Sequence, residues 1–270
     1  MSELPFRRVV VLCDAACDIR VAVSDAATLA ARWGIALHGV FLDDENLRRL
    51  AELPFGHQVS LSNPMGAEEL TAGDVADLSL ALGAGMRRAI AQAASAQGIE
   101  WTFGSIRDLP AAAAQVAAED DFLLVEGAVR AFSGTWRPRS VWEKDPGAFA
   151  GTVLVRGQRN GGKDILIVLP KSARGRDKVL LAGAAIAADD VDIIVAGTSA
   201  ALENSKPAIA AHLNTVQRNR MKPLPVEEES ALLRAIGDLN PSIVVLECED
   251  PRAQMLLDLP QARRDILLVR

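Results

Sequence analysis

Arg7-Arg8-Val9-Val10-Val11-Leu12-Cys13-Asp14 and, 156 residues later, Lys163-Asp164-Ile165-Leu166-Ile167-Val168-Leu169-Pro170 are two versions of one pattern. In each, charged residues lead into an unbroken aliphatic, largely β-branched run, the composition of a strand covered on both faces. The same offset carries Ile35-Ala36-Leu37-His38-Gly39-Val40 onto Val191-Asp192-Ile193-Ile194-Val195-Ala196. Each half closes on a further strand-like run, Thr152 to Arg156 and Asp265 to Arg270. The 270-residue chain therefore reads as two diverged copies of one α/β unit.

Outward from these runs, strand-length apolar segments alternate with amphipathic ones, which predicts parallel strands joined by crossover helices. The first copy has a helix over 18–33, with Ile19, Val23, Ala26, Ala30 and Trp33 on one stripe and Gly34 at a left-handed C-cap. A strand over 35–42, a helix over 74–97 ended by Gly98, a strand at 100–106, an Ala-rich helix at 109–118 and strands at 121–126 and 152–156 follow. Residues 43–71 are an insertion too long for a simple crossover, with Leu47, Leu50 and Leu53 spaced for one helical face. The second copy has strands near 164–169, 191–196, 215–221, 242–247 and 265–269, and helices near 176–188, 226–236 and 251–259, with a short crossover at 202–213. The glycine-rich stretch 157–162 reads as the linker between units 1–157 and 163–270. The expected fold class is α/β, two tandem open parallel five-stranded sheets flanked by helices, each half with its own core.

Half of the residues are apolar, yet no run of 18 apolar residues occurs, and Met1-Ser2-Glu3-Leu4-Pro5 has neither a charged start nor an apolar signal core. A cytoplasmic protein without membrane insertion is the expectation. Residues 1–160 hold 15 Lys and Arg against 20 Asp and Glu, and the remainder 14 against 15. Neither half has the basic excess that nucleic-acid binding needs. Three cysteines, Cys13, Cys17 and Cys248, are an odd count without the spacing of a zinc ribbon or thioredoxin motif, and read as core or loop thiols.

Five strands joined by helices, in two copies, resemble a tandem universal stress protein. The first strand ending in Asp14, then small residues, the 18–33 helix with Gly34, a strand and Asp43-Asp44 carry that resemblance. It implies Rossmann-like sheets, an intramolecular pseudo-dimer with 152–156 and 265–269 at the junction, a stress-response or regulatory binding role, and in some members ATP. The ATP-binding members carry three spaced glycines after the fourth strand, where backbone N–H groups approach phosphate without a Cβ in the way. Here Gly127 holds the first position, Arg130 replaces the second glycine, and Ser140 the third. The nucleotide contacts implied by resemblance are thus a remnant set: Asp14, Val40, Gly127, Arg130 and Ser140. In the second copy Pro170 replaces Asp14 and no glycine follows the fourth strand.

Ligands of open α/β sheets sit beyond the C-terminal strand ends. In the first copy these ends supply Asp14, Asp18, Asp43, Asp44 and Glu126, with Asp18 placed to cap a helix. In the second copy Ser172, Arg174 and Arg176 open a helix, a pattern suited to an anion, with Gly197-Thr198-Ser199 expected nearby. Between Phe132 and Trp142 lie two of the four tryptophans and two arginines, a hot-spot composition. Phe55, Trp136, Arg137 and Trp142 are therefore the expected partner surface, for another protein or a second copy. No spacing suggests a catalytic triad. The expectation is a binding protein rather than an enzyme, the alternative being an ATP- or AMP-binding, Mg²⁺-dependent switch or hydrolase in the first copy's crevice.

Overall fold

Strands β1 (Arg8–Cys13), β2 (Ala36–Asp44), β5 (Trp101–Asp108), β6 (Asp121–Glu126) and β7 (Thr152–Arg156) build the first half, with a hairpin of β3 (His57–Ser60) and β4 (Asn63–Glu69) set apart. Helix α1 (Ile19–Trp33) joins β1 to β2, and α2 (Ala72–Gln97) leads into β5. The second half consists of β8 (Ile165–Val168), α3 (Ala173–Ile186), β9 (Ile193–Gly197), α4 (Ser199–Asn204), α5 (Lys206–His212), α6 (Thr215–Asn219), β10 (Met221–Pro225), α7 (Glu229–Leu239), β11 (Ile243–Glu247), α8 (Pro251–Asp258) and β12 (Asp265–Val269). This computed structural model describes residues 6–15, 17–44, 49, 51–52, 57–60, 63–69, 71–108, 117–126, 151–157, 163–258 and 265–270.

The sequence pointed to two sheets, and the structure joins them into one. The order is β10-β9-β8-β11-β12-β7-β6-β1-β2-β5. Each half runs its own strands in the order 3-2-1-4-5, all parallel, and β7 meets β12 antiparallel with Leu154 opposite Leu267. The pairing removes two fully buried edge strands that would otherwise carry unpaired N–H and C=O groups. Repetition is close in position as well as in order, since β8 and β9 begin 157 residues beyond β1 and β2.

The core departs from one-per-half in the same way. Apolar side chains form one layer on each face, and each layer crosses the joint. On one face Val9, Val11, Phe122 and Leu154 continue into Ile165, Ile167 and Leu267 beneath α1, α2 and α3. On the other, Val10, Leu12, Leu123 and Val153 continue into Leu166, Val244 and Leu268, covered in the second half by Leu232 and Ile236 of α7. Strictly alternating faces on buried strands explain the unbroken apolar runs of the sequence.

Local signals set the helix ends. The Asp18 side chain accepts from the Val21 N–H, and Gly34 and Gly98, both at φ 66°, end α1 and α2. Thr71 and Asp74 form a reciprocal capping box at the start of α2. One expectation fails and one is incomplete. The insertion, expected to be partly helical, is helical at Arg49 and Ala51 and also contains the unexpected β3–β4 hairpin. Residues 215–219 are a helix rather than a strand, because Asn214 and Gln217 make another capping box, and the strand follows at 221–225. The expected short crossover over 202–213 consists of two short helices, α5 starting with Pro207 in its first turn. The 157–162 linker beyond residue 157, and residues 109–116 of the expected Ala-rich helix, lie outside the described residues.

Candidate functional site

Strand order reverses at two places, between β1 and β6 and between β8 and β11, and the two points open toward opposite ends of the strands because the halves meet antiparallel. Only part of the first crevice falls within the described residues. Asp14 is buried at the tip of β1 and accepts at its carbonyl from the Cys17 N–H at 3.4 Å. Val40 lies inside β2, opposite Leu12 and buried in the apolar layer. Gly127, Arg130 and Ser140, and the partner-surface residues Phe55, Trp136, Arg137 and Trp142, lie outside the described residues.

Two of the other first-half carboxylates are engaged within the protein. Asp18 caps α1. Asp43 accepts from the Ser79 hydroxyl at 2.6 Å and from Arg107 Nε at 2.8 Å. Glu126 stands opposite Arg156 in the β6–β7 register, and the buried Arg156 guanidinium lies 2.6 Å from Asp25 of α1.

The second crevice is a cleft of about 580 Å³. It is lined by Ser172, which caps α3, by Arg174, Gly175 and Lys178 of α3, by Glu247 at the end of β11 with Cys248 and Glu249 after it, and by Val269 and Arg270. The antiparallel joint brings Phe6, Glu119 and Thr152 of the first half against it, so the cleft lies between the halves.

Its centre is the N-terminus of α3. The Ser172 hydroxyl accepts from the Gly175 N–H at 2.9 Å and donates to the Glu247 carboxylate. A Cβ on Gly175 would come 2.3 Å from Glu247 Oε1 and 2.6 Å from Ser172 Oγ, so the glycine is what allows the carboxylate this close. Glu247 thus takes the seat at the helix N-terminus that the sequence assigned to an outside anion. Burial, and then Glu249 and Asp250 nearby, push its carboxyl above the usual range, against the Ser172 hydrogen bond and Lys178.

The expected anion triad is divided. Ser172 and the exposed Arg174 line the cleft, whereas Arg176 donates from Nη1 to the Lys171 carbonyl at 2.7 Å. Thr198 caps the short α4, and Ser199 bonds Glu227, both outside the cleft lining. Glu119, Lys178, Glu247 and Arg270 went unread in the sequence. Glu247 had a usable signal, since it ends the fourth strand of the second copy, next to the first at the reversal of strand order. Lys178, donating to the Arg270 carbonyl at 2.8 Å, had none.

No family model and no curated protein sequence matches this chain. Among solved structures, it is similar to a functionally unknown protein from Pseudomonas aeruginosa PAO1, at 14% identity and a TM-score of 0.56 over 98% of this chain and 92% of that one. That likeness is one of fold. A UDP-glucose: anthocyanidin 3-O-glucosyltransferase crystallised with UDP also aligns, at 9% identity over 88% of this chain and 76% of the other, but its TM-score of 0.21 is too low for a shared fold. Among the described residues no helix is long and apolar enough to cross a membrane, and no group of three or more His, Cys, Asp and Glu is placed to hold a metal ion.

Proposed function

We propose that the protein is a regulatory binding protein of the universal-stress type, whose ligand is held, rather than turned over, in the cleft between the halves. The repeated 3-2-1-4-5 order supports the scaffold part of this reading. The ligand part rests on one observation, the convergence of charge in the cleft. Arg174, Lys178 and Arg270 line it together with Glu119, Glu247 and Glu249. A ligand with an anionic group for Arg174 and Lys178, and a donor-rich polar group for the glutamates, suits that mixture. A nucleoside monophosphate meets this description, and Glu247 at the helix N-terminus disfavours a longer phosphate chain there by like-charge repulsion.

Calorimetry with AMP and ATP, with and without Mg²⁺, tests the reading on wild type, Arg174→Ala and Asp14→Ala. Saturable AMP binding should survive Asp14→Ala and weaken roughly tenfold in Arg174→Ala, the loss of one charge-assisted contact. Binding lost in Asp14→Ala and kept in Arg174→Ala would move the ligand to the first crevice. Absence of binding, or steady phosphate release from ATP, refutes the proposal.

A further inference from the structure

We infer that Cys13 and Cys17 are an oxidisable dithiol, a modification site at the tip of β1 that closes to an intramolecular disulfide under peroxide. The two thiols are free, and Cys17 packs against the apolar layer that contains Cys13. Two bonds hold Cys17 against the peptide that directly follows Cys13. The Asp14 N–H donates to Cys17 Sγ at 3.3 Å, and the Cys17 N–H donates to the Asp14 carbonyl. Cys13 is 1% exposed, pinned in β1 opposite Phe41, while Cys17 is half-buried at the surface end of the pair. That asymmetry divides the roles: Cys17 is the thiol an oxidant reaches, and Cys13 is the resolving thiol behind it.

The balance is that of a two-electron oxidation. The Cys17 thiolate attacks one peroxide oxygen, the O–O bond breaks, and hydroxide leaves to take up the proton that Cys17 lost. Cys13 Sγ then attacks the sulfenic sulfur, forming the S–S bond as water departs with the Cys13 proton. Two thiols and one hydrogen peroxide give one disulfide and two waters. A small oxidant is required because Cys17 is half-covered. Contact with Cys13, burial and the Asp14 charge hold the Cys17 thiol above its ordinary range, so little thiolate is present at neutral pH. The reduced form gains nothing from thiolate stabilisation, and a high-pKa thiol leaves slowly. The disulfide is therefore slow to form and, once formed, slow to reverse.

The test is peroxide treatment of the full chain, then iodoacetamide and tryptic mapping. Both thiols fall on one peptide, Val9 to Arg20. After oxidation this peptide should be about 2 Da lighter than its dithiol form and free of alkyl groups, with two alkylation sites restored by dithiothreitol. In Cys13→Ser, a dimedone-trapped sulfenic acid should accumulate on Cys17. In Cys17→Ser, the buried Cys13 should stay unoxidised in the folded protein. A wild-type peptide that still takes two alkyl groups, or that gains oxygen without losing 2 Da, overturns the proposal. Oxidation of Cys13 in Cys17→Ser at the wild-type rate overturns it as well.

Discussion

Glu247 shows most directly how one side chain sets the chemistry of the cleft. Its carboxyl is raised by burial and by Glu249 and Asp250, so the folded state binds its proton more tightly than the unfolded state does. Such a group costs stability at neutral pH, and the cost is relieved as pH falls through the raised value. Glu247→Gln should therefore raise the thermal midpoint at pH 7, and its advantage over wild type should vanish below the ordinary carboxylate range. A midpoint lowered at pH 7 would show that the helix N-terminus outweighs the burial. Gly175→Ala acts on the same contact from the other side. Its Cβ displaces the carboxylate, and the expected result is a Glu247 titration returned toward the ordinary value, read by carboxyl carbon NMR.

At the scale of elements, the C-terminus of α3 is where the halves are pinned. It ends without a left-handed glycine, Ala187 being extended, so its last carbonyls need other donors. Gln217 Nε2 donates to the Ala184 carbonyl at 2.9 Å, and Trp33 Nε1 to that of Ala185 at 2.9 Å. Arg32 reaches the carbonyls of Ala185, Ile186 and Ala187, the last two at 3.0 and 2.7 Å. A cation at a helix C-terminus also meets the favourable end of the dipole. Arg32→Ala leaves these groups short of donors at a half-buried site, and should cost about 2 kcal/mol in urea unfolding with the slope unchanged. A loss under about 0.5 kcal/mol, the ordinary scatter of surface substitutions, would mean water replaces the guanidinium. Trp33 does double duty, packing edge-on against Phe122 at 4.9 Å while Phe6 closes the cluster.

The same scale shows why some elements were legible. α1 announced itself through Asp18, its apolar stripe and Gly34, all local. β10 did not, because its alternation is weak and Pro223 and Pro225 break any strand signal, which is tolerable only at the sheet edge it occupies. The β3–β4 hairpin went unread because the leucines before it mark a helical segment, which Arg49 and Ala51 do form, and nothing comparable marks the strands after it.

Across the whole molecule, the continuous sheet and its two shared layers predict that the halves unfold together. All four tryptophans, Trp33, Trp101, Trp136 and Trp142, are in the first half, so their fluorescence reports chiefly on that half, with Trp33 also sensing α3 through its bond to Ala185. Leu267 lies in the second half, fully buried, opposite Leu154 across the joint. Leu267→Ala should cost about 2–5 kcal/mol and shift the fluorescence and far-UV circular dichroism transitions by the same amount. A fluorescence transition left in place while the dichroism curve splits would show two independent folding units. Leu154→Ala combined with it should cost less than the sum, because the pair shares one contact.

Local patterns were enough for the repeat, for nine of the twelve described β-strands and for the longer helices. Strand alternation, caps and left-handed glycines are decided within a few residues, and buried strands write their burial into unbroken aliphatic runs. Tertiary structure alone decided that β7 and β12 pair antiparallel into one sheet, that both apolar layers cross the joint, and that Glu247 fills the seat beside Ser172. These partners are separated by 75 residues or more in the chain, and pairing at such range depends on which edges and termini remain unsatisfied after the local elements form.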